Sequence, residues 1–333
     1  MSFSNDSGVD ISQGPYLLLS NHVGTYDPIV ISASMDRHVR WVAGAYLFKL
    51  GLLRLVLTKG ATAIPKQQGR ADMSSLKAMQ NALKEGSIVG LFPEGTRTWD
   101  GDMVDLDYMS LAKMIRIFRC PVLFVHLEGV YGECPRWATE RRKGGGMHIR
   151  ITRVLEKEAI AAMSLPEFAE NIKESMAFSN DEWKTKESYH YASPLRAEGL
   201  ERVLYLCPKC GGVGTMSTKG SSISCSCGAQ ATLNALDDLE SSSVSFRQIR
   251  EWHQWEKKAL ADISSFPEEK GVLFQTGDAD NNGRLTTVSE DITVSLVQCP
   301  LHQGQRFLPS LGAAALFHLI LCHQCQADNG TLF

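Results

Sequence analysis

Short apolar runs alternate, over the first 160 positions, with longer stretches in which apolar residues recur every three or four places. Residues 15–20 (PYLLLS) suit a buried strand, and the run ends directly at Asn21-His22. Residues 41–57 read as an apolar helix and 61–65 as a short strand. Residues 72–85 read as an amphipathic helix closed by Gly86, a glycine suited to the position just past a helix end. A strand over 87–92, a helix over 106–118, a buried strand over 121–127 and an alternating strand over 147–154 complete the series. This order predicts an α/β fold with a mixed sheet flanked by helices, and its site where strands end and loops begin.

The pattern changes further along. Residues 164–200 are polar and helical, 203–234 form a cysteine and glycine module, and 240–262 read as a charged helix with Trp252 and Trp255. Residues 270–300 are β-rich around an Asn282-Gly283 turn. The expected organisation is an α/β domain over 1–160, a helical extension over 161–202, a small β module over 203–235, and a C-terminal region over 236–333. A length of 333 residues agrees with several modules, and 44% hydrophobic with 21% charged residues excludes wholesale disorder or a polytopic membrane protein.

Charge is uneven. Residues 1–160 hold 20 Lys+Arg against 16 Asp+Glu, and the remainder 14 against 21, so the first half is the expected partner of an anion. The first fourteen residues show neither a secretory nor a transit pattern. Nine cysteines, clustered at 207–227, suggest thiolate ligands in a reducing compartment, hence a cytoplasmic protein. Residues 41–57 carry Lys49 and Arg54 and are too short to span a bilayer comfortably. They form either a core helix or a helix lying on a membrane surface.

Two constellations carry chemistry. In Asn21-His22-Val23-Gly24-Thr25-Tyr26-Asp27-Pro28, Asp27 also suits an N-cap with proline behind it. Each residue alone reads as structural. Together they offer a carboxylate that holds one imidazole nitrogen and leaves the other as a general base. In Phe92-Pro93-Glu94-Gly95-Thr96-Arg97, Pro93 stops a strand, Gly95 permits a tight turn and Arg97 offers a planar donor fork to a phosphate. The competing reading is a surface Glu/Arg pair on a β-turn.

A histidine and aspartate five positions apart, followed some seventy residues later by Phe-Pro-Glu-Gly-Thr-Arg, resembles the glycerolipid acyltransferases of the 1-acylglycerol-3-phosphate acyltransferase family. Residues 60–66 (GATAIPK) and 120–125 (CPVLFV) resemble two further blocks of that family, so the likeness covers roughly residues 15–155. The resemblance implies that His22, oriented by Asp27, activates a hydroxyl for direct attack on an acyl-CoA or acyl carrier protein thioester. Arg97 and Lys66 would then hold an acceptor phosphate, Glu94 the glycerol portion or Arg97 itself, and Gly95 and Thr96 the turn. It further implies a lysophosphatidic acid-like acceptor at the inner face of a membrane. Leu106-Asp107-Tyr108-Met109 departs from the family, which carries a basic residue there, and opens the alternative of another lipid acceptor. Arg136, Arg141, Arg142 and Lys143 are further candidates for phosphate or anionic lipid.

Cys207-Pro208-Lys209-Cys210 and Cys225-Ser226-Cys227 supply four thiolates with a hairpin's length between them, a spacing that resembles a zinc ribbon. With every position closed by protein, the zinc would be structural. Lys209 and Lys219 are too few cations for nucleic acid. A zinc-ribbon scaffolding protein with a non-catalytic domain is the alternative from a different class. Residues 278–283 open like an EF-hand loop but read as a β-turn, and Cys299, His302, Cys322, His323 and Cys325 read as unpaired.

Overall fold

The structure, a computed structural model, describes residues 2–12, 14–67, 72–144, 146–260, 269–279 and 285–294. The larger sheet contains β1 (Ser2–Asn5), β2 (Tyr16–Ser20), β3 (Val39–Gly44), β4 (Ile64–Lys66), β5 (Ile88–Leu91), β6 (Val122–Glu128) and β7 (His148–Leu155). Their spatial order is β1-β7-β6-β2-β5-β3-β4, parallel throughout except for β6 against β7. Central β2 is buried on both faces, which is why its sequence is a continuous apolar run and not an alternating one.

Side-chain alternation on β2 feeds two cores. Leu17 and Leu19 pack on one face with α3 (Met73–Lys84) and α4 (Tyr108–Phe118), while Leu18 packs on the other with α1 (Asp27–Met35). Asp72 caps α3 by accepting from the amides of Ser74 and Ser75, and Asp107 caps α4 by accepting from that of Ser110. In the register of β2 with β5, Leu19 lies opposite Leu91. The two loops that follow, carrying His22 and Glu94, therefore leave the same edge of the sheet.

The stretch expected as one helix over 41–57 divides in two. Val39 and Trp41 alternate inward as β3, because a β-branched and an aromatic residue spaced by two fit a pleated surface. Residues 45–60 then form successive helical turns around α2 (Gly51–Leu55), with no buried residue among them, so this is not a core helix.

Beyond β6 come α5 (Val130–Glu133), α6 (Lys157–Ala162), α7 (Leu165–Met176) and α8 (Asn180–Glu187). A second, antiparallel sheet of β8 (Met216–Lys219), β9 (Ser222–Cys225), β10 (Gln230–Leu233) and β11 (Leu239–Glu240) is followed by α9 (Ile249–Leu260). Its core includes Trp137 from the segment after α5, together with Leu200, Leu204, Ile223, Leu233 and Trp252. β12 (Glu269–Ala279) and β13 (Leu285–Val294) pair antiparallel. The Asn282-Gly283 turn and the cysteines and histidines at 299–325 lie outside the described residues.

Candidate active site

His22 stands one residue past Asn21, whose side chain continues the pairing of β2 with β6. It accepts from the Leu127 amide at 2.8 Å and donates to the Leu127 carbonyl at 3.2 Å. Beside it, His22 Nδ1 lies 2.8 Å from Asp27 Oδ2. The same oxygen accepts the amides of Val23 at 2.6 Å and Gly24 at 2.8 Å. Asp27 is the first residue of α1, and its buried carboxylate turns back to the preceding loop instead of capping the helix ahead. An acceptor at Nδ1 fixes the tautomer with hydrogen there, which leaves Nε2 as the basic nitrogen. The imidazole also stacks on Phe92 at 4.1 Å between ring centroids, and Phe92 on Trp41 at 4.6 Å.

The Phe92–Arg97 loop is a tight turn closed by the Gly95 amide donating to the Phe92 carbonyl at 3.1 Å. Proline at the second position presets the turn, and Gly95 has a φ of 65°, which a side chain would strain. Glu94 is only 2% exposed. Its Oε1 accepts the His22 amide at 2.7 Å and its Oε2 the Val104 amide at 3.2 Å. Burial pushes its carboxyl up to about 8 despite those two bonds, which favour the charged form. The glutamate selected as a substrate contact thus braces the backbone of His22. Arg97 donates to the Thr25 hydroxyl at 2.8 Å. Arg136 donates to the Thr96 hydroxyl at 3.0 Å and lies 3.9 Å over the Trp99 ring.

A cavity of about 1000 Å³ opens at this edge. His22, Lys66, Gly95 and Arg97 line it beside apolar Leu47, Leu53, Val56 and Leu57. Lys66, at the end of β4, has its pKa lowered by burial against the opposing charge of Asp72. Asp27 and Glu94 stand behind the wall. The basic cluster does not act as a unit, because neighbours in sequence diverge in space. Arg136 reaches the turn, Arg141 pairs with Glu133 at 2.6 Å, and Arg142 is buried against Asp237 at 2.6 Å. Sequence reading missed Thr25 and the loop 98–102, where the Thr98 amide donates to the His22 carbonyl at 2.9 Å.

At the second sheet the sulfurs of Cys207, Cys210, Cys225 and Cys227 all lie within 4.8 Å of one another. Cys207 to Cys227 and Cys210 to Cys225 each measure 3.7 Å. That is far beyond a disulfide's ~2.05 Å. It matches the ~3.8 Å edge of a tetrahedron with 2.3 Å metal–sulfur bonds.

Residues 5–125 match the family model described as Acyltransferase. That segment is similar to the acyltransferase family. Over 174 residues it is 23% identical to a 1-acyl-sn-glycerol-3-phosphate acyltransferase of Saccharomyces cerevisiae, covering 50% of this chain and 56% of the relative. Over 128 residues it is 25% identical to a probable enzyme of the same name from Mycoplasma genitalium, covering 37% and 47%. The acyltransferase match therefore spans about half the length of these curated relatives. A crystal structure of the 1-acyl-sn-glycerophosphate acyltransferase PlsC from Thermotoga maritima aligns at 21% identity with a TM-score of 0.43, over 52% of this chain and 68% of that one. No helix among the described residues is long and apolar enough to cross a membrane.

Proposed function

We propose that the protein is an O-acyltransferase that moves an acyl group from acyl-CoA or acyl carrier protein to the free hydroxyl of 1-acylglycerol-3-phosphate. The observation that carries this reading is His22, held by buried Asp27, lining the same cavity as Arg97 and Lys66. Nε2 of His22 takes the hydroxyl proton while the hydroxyl oxygen attacks the thioester carbonyl carbon. The C–S bond breaks, an ester forms, and His22 returns the proton to the departing thiolate. Asp27 steadies the imidazolium, and no covalent acyl-enzyme is required. Arg97 and Lys66 bind the acceptor phosphate, while Leu47, Leu53, Val56 and Leu57 offer an apolar wall to an acyl chain.

The helical turns over 45–60 support docking at the cytoplasmic face of a membrane. Leu52 is 77% exposed, and Leu55, Val56 and Tyr46 are exposed with it, next to Lys49, Arg54 and Lys59. An apolar face with cations beside it suits an interface of anionic lipid. The four-thiolate cluster suits a structural zinc, since two of its sulfur–sulfur edges have tetrahedral length and four protein ligands fill every position.

The test is thioester consumption by purified protein. Lysophosphatidic acid, glycerol-3-phosphate and a neutral lysolipid are offered separately with each donor. Turnover that requires the phosphate-bearing lysolipid and is lost in His22→Ala and Arg97→Ala is the expected result. Turnover with another acceptor alone would replace the substrate, and none with any acceptor would overturn the catalytic reading in favour of a scaffolding protein.

A further inference from the structure

The loop after Arg97 is held from behind by the module that carries the four thiolates, through bonds that can be followed from one end to the other. Cys207 closes its knuckle by donating its amide to the Gly212 carbonyl at 3.0 Å. The two residues before it grip α9. Glu256 Oε2 accepts the amides of Tyr205 at 3.1 Å and Leu206 at 3.2 Å, and Trp252 Nε1 donates to the Leu206 carbonyl at 2.9 Å. Glu256 and Trp252 are both fully buried, so these bonds are shielded from competing water.

One turn earlier, α9 presents two donor side chains to the loop that follows Arg97. His253 Nδ1 lies 2.9 Å from Asp100 Oδ2, and Arg250 lies 2.8 Å from Asp102 Oδ2. The loop so held is tightly bonded within itself. The Thr98 hydroxyl donates to the Asp102 carbonyl at 2.6 Å and accepts from the Gly101 amide at 3.0 Å. The Thr98 amide then donates to the His22 carbonyl. Gly101 has a φ of 97°, where a side chain is strained, and a Cβ there would press on Tyr131 and Asn180 at 3.0–3.1 Å. Every step from Cys207 to His22 is a hydrogen bond, an ion pair or an adjoining residue.

We propose that metal binding at Cys207, Cys210, Cys225 and Cys227 sets the catalytic loop through α9, with Arg250 and His253 as positioning residues for His22. The inference rests on the acyltransferase reading for its effect on turnover, but its structural part is independent of the substrate. In the metal-free chain the four sulfurs lose their common tether, and the 205–207 segment has less to hold α9 in register. Release of Asp100 and Asp102 would leave two carboxylates packed against α9 without the donors that now satisfy them, a cost that loosens the loop. The consequence falls on kcat, because Arg250 and His253 do not line the substrate cavity.

The full-length protein is assayed for zinc, for hydrogen exchange in peptides covering 98–104, and for kcat and KM, before and after a zinc chelator. About one zinc per chain, its loss on chelation, faster exchange at 98–104 and a matching fall in kcat are expected. Absence of bound metal, or metal loss with unchanged exchange at 98–104, overturns the proposal. If chelation unfolds the chain, Arg250→Ala tests the later half of the path with zinc in place. It should keep its zinc, exchange faster at 98–104 and lose roughly five- to tenfold in kcat with KM within about twofold, with partial recovery in Arg250→Lys. Wild-type exchange and kcat in Arg250→Ala would refute the coupling. Exchange and zinc results that hold in a chain inactive on every acceptor would condemn the substrate reading and leave the strut intact.

Discussion

Replacing Asp27 by Asn separates the two tasks of that carboxylate. One oxygen receives three donors, the imidazole Nδ1 and the amides of Val23 and Gly24, all at 2.6–2.8 Å. An asparagine oxygen in the same place still accepts all three, so the loop and the tautomer survive and only the charge is lost. A full charge about 4 Å from an imidazolium in surroundings of effective permittivity ~20 is worth about 4 kcal/mol, and a half-developed charge about 2 kcal/mol. The kcat of Asp27→Asn should therefore fall about 30- to 1000-fold. KM should hold for both substrates, because Asp27 does not line the cavity. Charge-assisted bonds become neutral ones at a stability cost of about 1 kcal/mol. Continuous detection of the freed thiol gives kcat and KM, and a urea titration gives stability. A variant within about threefold of wild-type kcat and equally stable would reduce Asp27 to a loop cap and remove the electrostatic argument.

Glu94 makes a pH prediction. Its pKa is raised from 4.5 to about 8 by burial, so the folded chain holds a proton that the unfolded chain has released. Its contribution is fully present below about pH 4.5 and is lost as pH rises through about 8, at up to about 1.4 kcal/mol per unit. Urea midpoints of the wild type measured against Glu94→Gln across that range should differ by this slope, and parallel curves would show that Glu94 does not titrate there. At Gly90 a methyl group would come within 2.5–2.7 Å of the Trp41 ring, which supports Phe92 and, through it, His22. Gly90→Ala should cost about 1–3 kcal/mol in a thermal melt and lower kcat as well, whereas an unchanged melt would mean that Trp41 gives way freely. Leu52→Asp with Leu55→Asp should reduce sedimentation with anionic vesicles by about 30-fold or more, since two exposed leucines lose their transfer energy. Unchanged binding would place the lipid contact elsewhere.

What could be read along the chain was what lies close along the chain. His22 and Asp27 are five residues apart, and their pairing follows once a strand is seen to end at Ser20. The proximity of the Phe92–Arg97 loop follows from parallel neighbours whose ends coincide. Glu94 was misleading because a motif carboxylate looks the same in sequence whether it faces a ligand or two backbone amides. Only its burial reveals that it braces His22. Residues 41–57 were read as a helix because an apolar run without long periodicity suits a buried strand and a helix equally. The pairing of Asp100 with His253 spans 153 positions and has no local pattern to announce it. The four cations at 136–143 failed as a cluster for the converse reason, since adjacency in sequence does not determine direction.

The charge asymmetry between the two halves acquires a structural meaning at the same contacts. Arg142 is buried against Asp237, and Lys184 against Asp181 and Asp238, at 2.6 to 3.1 Å. Arg142 also lies 4.8 Å over Trp137, the residue that enters the core of the second sheet. Part of the acidic excess after residue 160 is thus buried, Asp237 against a cation of the first half and Asp181 and Asp238 against Lys184 of the second, and is not a solvated surface. A buried ion pair adds little net stability over an apolar substitute, yet losing one partner leaves an uncompensated charge at a cost of about 3–5 kcal/mol. Such contacts tolerate one arrangement and penalise others. They fix how the second sheet sits on the first, and α9 depends on that register to bring Arg250 to Asp102 and His253 to Asp100. The region matched at residues 5–125 holds His22, Lys66 and Arg97, while the position of its active loop is set by residues more than a hundred positions beyond it.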